Sequence, residues 1–171
     1  TAFNRSNFQQ EIFELYHDLI TFGTAAMFIE EDDEDLLKFS TRHINEIFIA
    51  ENDKGRIDTV FRKFSLSARA AIQKFGDVSV NIATKAKKDP YEEVEIIHAV
   101  YPRSDFDPRK QDKQNMPFES VYLDAESGDE LSVSGFREFP FVVPRYLKAS
   151  HEIYGRSPAM TALPDVKMLN E

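Results

Sequence analysis

The densest chemistry in this chain is a run of six consecutive carboxylates, Glu30 to Asp35. Carboxylate oxygens are the ligands of hard cations. With a histidine nearby, such a run could serve metal-assisted hydrolysis. Successive residues do not converge on one point without a shaped loop, however, and no EF-hand spacing is present. A solvated turn between two strands is therefore the favoured reading. The four histidines, His17, His43, His98 and His151, are far apart and share no metal-ligand spacing. His98 sits inside an apolar stretch and reads as a satisfied core or interface histidine. His151-Glu152 reads as a capping or pairing group.

Other chemistries lack their motifs. No G-x-S-x-G elbow is present, and in "GRSP" at 155–158 a proline directly follows the serine, removing the amide that would build an oxyanion hole. Neither phosphate-loop pattern occurs, and six glycines leave little room for one. Arg103, Arg109, Lys110 and Lys113 share one loop with Asp105, Asp107 and Asp112. That near-neutral mixture favours a loop surface or subunit contact over phosphate gripping.

Composition limits the partners. The 171 residues are 42% hydrophobic, with 15 Phe and 6 Tyr and no Trp, enough for one domain with a sizeable core. There is no Cys, so disulfides and thiolate metal sites are excluded. No apolar run spans a bilayer and no signal peptide is visible. The net charge of -9 argues against a surface that grips nucleic acid.

The elements follow from periodicity and punctuation. Ser6 to Gln9 has the S-x-x-Q form of a capping box. Phe8, Ile12, Leu15, Leu19 and Phe22 then mark one face of a helix over 7–22, with Gly23 at its end. Phe13, Tyr16 and Ile20 widen that face. A meander of short strands is expected at 24–30, 36–41, 45–51 and 57–65, with polar turns at 31–35 and "NDKG" at 52–55. Ser67 can cap a helix over 68–75 that Gly76 ends, and a second short helix is expected over 79–88 with Val80 and Ala83 inward. Further strands are expected at 94–102, in a hairpin around "AESGDE", and at 139–146, where Pro140 and Pro144 confine the segment to an edge or a crossing. Helix, strands, helices, strands is an α+β order.

The C-terminal stretch begins helices twice. Ser157-Pro158 reads as N-cap and first helical residue, and Pro164-Asp165 as a second start with a carboxylate at the positive helix end. Val166, Met168 and Leu169 begin an apolar face with no C-cap after it, and the chain starts at Thr1 without an initiator Met. A fragment of a longer protein is the expectation.

Several stretches together resemble one family. "LYHDLITFGTAAMFIEE" at 15–31, "GRIDTVFRKFSLSARAAIQKFG" at 55–76 and "EEVEIIHAVYPR" at 92–103 are similar, in order, to the wing segment of podovirus head-to-tail connector, or portal, proteins. "FREFPFVVPRY" with "EIYGRSPAMTALPDVKMLN", over 136–170, carries the most specific part: Tyr154, Gly155, Arg156, Ser157, Pro158, Leu163, Pro164, Asp165, Lys167 and Asn170. The resemblance implies that residues 1–171 are one wing-like domain of a homo-oligomeric ring, a dodecamer in the full-length protein. It implies a place at the capsid vertex of the virion, assembled in the host cytoplasm. Capsid, scaffold, terminase and tail proteins would be its partners, and double-stranded DNA would pass through the channel. It implies no cofactor, no metal, no membrane and no catalysis, since the packaging ATPase belongs to the terminase. Of the motif positions, Tyr154, Gly155, Arg156, Ser157, Pro158, Pro164, Asp165 and Lys167 are expected to be structural. Gly155 would permit a turn, and Arg156 and Asp165 would pair or cap. A ring contact needs two different patches on one subunit, and the candidates are the helix 7–22 and the loop 103–117. Two other classes remain open: a monomeric protein-binding adaptor domain, and a metal-dependent hydrolase using the run 30–35.

Overall fold

The computed structural model describes residues 2–32, 36–76, 79–110 and 112–169, and its elements are α+β. The chain divides into two compact units, Thr1–Ile47 with Pro140–Glu171, and Phe48–Phe139. No helix among the described residues is long and apolar enough to cross a membrane.

The first unit is built on a three-stranded sheet in the order β2-β1-β8, where β8 is Phe141–Val142. Strand β1 (Ala26–Asp32) pairs antiparallel with β2 (Leu36–Arg42), Met27 opposite Thr41. Helices α1 (Ala2–Arg5) and α2 (Phe8–Phe22) precede them. Leu15 of α2 packs with Ala25, Met27 and Phe39, flanked by Phe8, Ile12 and Leu19. The expected core face of α2 is thus the observed one. Its expected width is not. Phe13, Tyr16 and Ile20 are 73%, 54% and 54% exposed, because the sheet covers only one side of the helix.

The capping box does not form. Residues 2–5 make a turn of their own, and the Ser6 hydroxyl donates to the Phe3 carbonyl. Asn7 occupies the N-cap without a side-chain bond to a helix N–H. Its amide is engaged elsewhere. It accepts from the Phe39 N–H at 2.9 Å and donates to the Phe39 carbonyl at 2.8 Å. One turn on, Glu11 accepts from the Thr41 N–H at 2.6 Å, and its own carbonyl accepts from the Thr41 hydroxyl at 2.9 Å. β2 is an edge strand whose outward groups recur every second residue, and α2 offers ligands every fourth. The helix therefore takes the place of a missing strand and closes the edge. Asn7→Ala removes two of these bonds and should cost about 1–2 kcal/mol. Chemical denaturation checks this, and an unchanged midpoint would reject the clamp.

The second unit holds a five-stranded sheet in the order β3-β4-β5-β6-β7. These strands are β3 (Ile47–Glu51), β4 (Ile57–Ser67), β5 (Glu93–Pro102), β6 (Phe118–Asp124) and β7 (Glu130–Phe136). The expected meander is thus shared between two sheets, separated by a 3-10 turn at Ile44–Glu46 that His43 caps by accepting from the Asn45 N–H. The "NDKG" turn forms around Asn52, whose side chain accepts from the Lys54 and Arg56 amides. Ser67 and Gly76 bound α3 (Ala68–Phe75) as expected, the serine accepting from the Ala70 N–H and the glycine adopting φ +81°. Helix α4 (Val80–Lys88) starts at its N-cap Ser79. Its inward residues are Ile82 and Ala86, one turn apart, and not Val80, which is 81% exposed in the first turn. Ile82 packs with Ala68, Ala71, Val94, Ile96 and Leu131.

The acidic run does not form a cluster among the described residues. Glu30 to Asp32 continue β1, where the turn was expected to begin at 31, and Asp33 to Asp35 lie outside the described residues. Glu30 faces Lys38 across the hairpin at 3.8 Å.

Candidate functional site

The segment that carries the most specific motif folds onto the end of α2. Gly23 ends that helix in the left-handed region at φ +78°, its N–H returning to the Leu19 carbonyl. Its own carbonyl accepts from the Tyr146 N–H at 2.9 Å. The next residue, Thr24, is 1% exposed, and its hydroxyl accepts from the Gly155 N–H at 2.7 Å. Gly155 lies so close that a Cβ there would stand 2.3 Å from the Gly23 carbonyl oxygen. Gly155 therefore serves close backbone approach, and its φ is not positive.

The neighbouring motif residues complete the junction. The Arg156 N–H donates to the Leu147 carbonyl at 2.7 Å, and Leu147 and Arg156 form an isolated antiparallel bridge. The Arg156 guanidinium makes a two-pronged pair with Glu152, at 3.0 and 2.6 Å, and not the expected pair with Asp165. That bond holds the Glu152 carboxyl below the usual range and raises Arg156. The Tyr154 hydroxyl donates to the Ile47 carbonyl at 3.4 Å. Ser157 is buried and its hydroxyl accepts from the Met160 N–H at 2.9 Å, so Ser157-Pro158 starts α5 (Pro158–Leu169) as expected.

The second helix start does not occur. Pro164 lies inside α5, and Asp165 and Lys167 follow it within the same helix. Asp165 is thus no N-terminal helix group, and Asp165→Ala should change stability by less than about 0.5 kcal/mol. A loss near that of a lost N-cap, about 1 kcal/mol, would contradict this placement. Met160, Leu163, Val166, Met168 and Leu169 are all at least half exposed, so the expected apolar face is present but uncovered in this chain. Asn170 lies outside the described residues.

The other sequence candidates resolve as structure. His98 is 2% exposed, shares a 2.9 Å hydrogen bond with the Ser120 hydroxyl and stacks on Tyr122 with ring centroids 4.0 Å apart. His17 and His43 line a shallow groove with Phe13, Glu14, Asp18 and Thr41. Among the described residues no three His, Asp or Glu side chains come together as metal ligands. The loop 103–117 folds back on its own sheet: the Arg103 N–H donates to the Pro117 carbonyl, and the Lys113 carbonyl would lie 2.2 Å from a Cβ at Gly135.

One polar centre escapes sequence reasoning. Asp124 is 1% exposed. Its carboxylate accepts from the Ser79 and Ser127 hydroxyls, the Asn81 amide and the Glu126 N–H, at 2.9 to 3.1 Å. It thereby joins the β6–β7 hairpin to the start of α4. Glu126 continues the network to Asn81 and to an ion pair with Lys85. Burial pushes the Asp124 carboxyl up, but the four donors outweigh it and hold the group below its ordinary value. Two of its partners, Ser79 and Asn81, lie more than forty positions away, so the link to α4 shows in no local pattern.

The site thus consists of backbone junctions and exposed apolar faces rather than reactive groups. The family model described as "Bacteriophage head to tail connecting protein" matches residues 1–171. The chain belongs to this connector family. It is 37% identical over 174 residues to the "Portal protein" of Salmonella phage epsilon15, covering 98% of this chain and 31% of that protein. It is 34% identical over 172 residues to the "Probable portal protein" of Bordetella phage BPP-1, again covering 98% and 31%. The chain therefore spans about a third of the length of the curated relatives it matches. The resemblance read from 15–31, 55–76, 92–103 and 136–170 is in this way established over nearly the whole connector chain.

Proposed function

We propose that this chain is the wing-like part of a phage portal, a structural ring at one capsid vertex through which double-stranded DNA enters and leaves the head. The family match over residues 1–171 carries the reading. Residues 1–171 act as one wing-like domain of a longer chain, and twelve copies of that chain close the ring. Its partners are the capsid, the scaffold, the packaging terminase and the tail, and it works in the virion after assembly in the host cytoplasm. It performs no catalysis of its own. Tyr154, Gly155, Arg156, Ser157 and Pro158 are structural positions that set the path into α5, within which Pro164, Asp165 and Lys167 lie. The net charge of -9 suits a channel wall that DNA must slide past, because like charge lowers adhesion.

Interrupting the gene in its phage tests this. Heads that assemble but stay empty of DNA are expected. DNA-filled heads from a lysate lacking the product would overturn the reading.

A further inference from the structure

The two units carry surfaces of opposite character. On α2, Phe13, Tyr16, His17 and Ile20 recur at helical spacing on an exposed stripe, and the charged side chains of this helix, Glu11, Glu14 and Asp18, are all acidic. Glu11 is bound to Thr41, whereas Glu14 is exposed beside Phe13. Helices α3 and α4 contain Arg69, Lys74, Lys85, Lys87 and Lys88 and no acid. Lys85 is paired with Glu126. Val80, Thr84, Lys87 and Lys88 follow one another along the outward side of α4, all exposed. Just beyond, Tyr91 is 72% exposed, and the Arg69 N–H on the Pro90 carbonyl brings the start of α3 to the same end. The acids there are Asp89, which accepts from the Tyr91 N–H, Glu92, 3.9 Å from Lys85, and the exposed Glu93.

Lysines at the end of α4 complement the helix dipole. That accounts for their charge but not for Val80, two turns before them, and Tyr91, just after them, large apolar groups left in water. The same holds for Phe13 on α2. A head-to-tail contact between identical chains requires two different, mutually complementary patches on each copy. An aromatic acidic stripe and an apolar basic stripe meet that requirement, and complementary charge fixes register and partner choice. The loop 103–117 meets it less well, since its acids and bases alternate and its backbone is tied to its own sheet. Resting on the ring reading above, we propose that the α2 stripe around Phe13 and Glu14 of one copy docks on the α4 stripe around Val80, Lys87 and Lys88 of the next.

Charge reversal in the full-length gene product tests this, with the ring fraction read by native mass spectrometry and folding by circular dichroism. Glu14→Lys alone, and Lys87→Glu with Lys88→Glu, should each lower the ring fraction at least about tenfold, because like charges then face each other. Combining all three should restore it to within about twofold. Phe13→Ala should also lower assembly while leaving the dichroism spectrum unchanged, as this ring is already in water in the single copy. Rings indifferent to the reversals, or a combination no better than its parts, would overturn this interface alone. Intact rings that instead lose retained double-stranded DNA with the lysine changes would make the α4 stripe a nucleic-acid contact and also overturn it. A wild-type product that never forms rings would overturn the ring reading itself.

Discussion

Gly23→Ala should be among the most destabilising single changes in this chain, at about 4 kcal/mol. Two independent costs combine. The residue sits at φ +78°, where an L side chain loses about 1–2 kcal/mol. The new Cβ would also stand 2.5 Å from backbone atoms of Gly155, Arg156 and Ser157, none of which can rotate away. Forcing such a segment apart costs about 1–3 kcal/mol more. Gly128→Ala separates the two, because Gly128 has nearly the same φ, +77°, with nothing within 4 Å. It should show only the backbone part. Equal losses for the two variants in urea denaturation would mean that the α2 end and the 154–158 segment do not approach as described.

Asp124→Ala should cost about 3 kcal/mol or more, because four donors lose one buried acceptor and each group left unsatisfied costs about 1–3 kcal/mol. The Ser79 and Ser127 hydroxyls, the Asn81 amide and the Glu126 N–H would all lose their acceptor in a buried setting. The same carboxylate gives stability a pH dependence of definite sign. Its pKa is lower in the folded chain than in the unfolded one, so the unfolded state binds the proton more readily. Its contribution is complete above the ordinary Asp value of about 3.9 and is lost as pH falls through the lower folded value. Asp124→Asn should therefore show its full deficit at neutral pH and a shrinking one in acid. A deficit that stays constant into acid would contradict the account.

What was legible in the sequence was local. Ser67, Gly76 and Gly23 could be placed because a cap or a positive-φ residue acts on amides three or four positions away. The core stripe of α2 was legible because five apolar residues, Phe8 to Phe22, recur every three or four positions. What each extra apolar residue faces is decided by neighbours distant in sequence. Val80 and Phe13 were therefore assigned inward, although α3, β5 and the first sheet leave them in water. Pro164 looked like a helix start because proline favours that position, yet the capped turn at Ser157 already sets the helix running. The junction of Gly23 with Gly155, 132 positions apart, and the Asp124 network were invisible for the same reason. The family was legible because an ordered set of segments identifies it without any active-site motif.

The ring proposed above is an assembly of the full-length gene product. Negative-stain electron microscopy of the purified full-length gene product tests it most directly. Rings with a central channel are expected. A compact monomer under every salt condition would contradict the proposal.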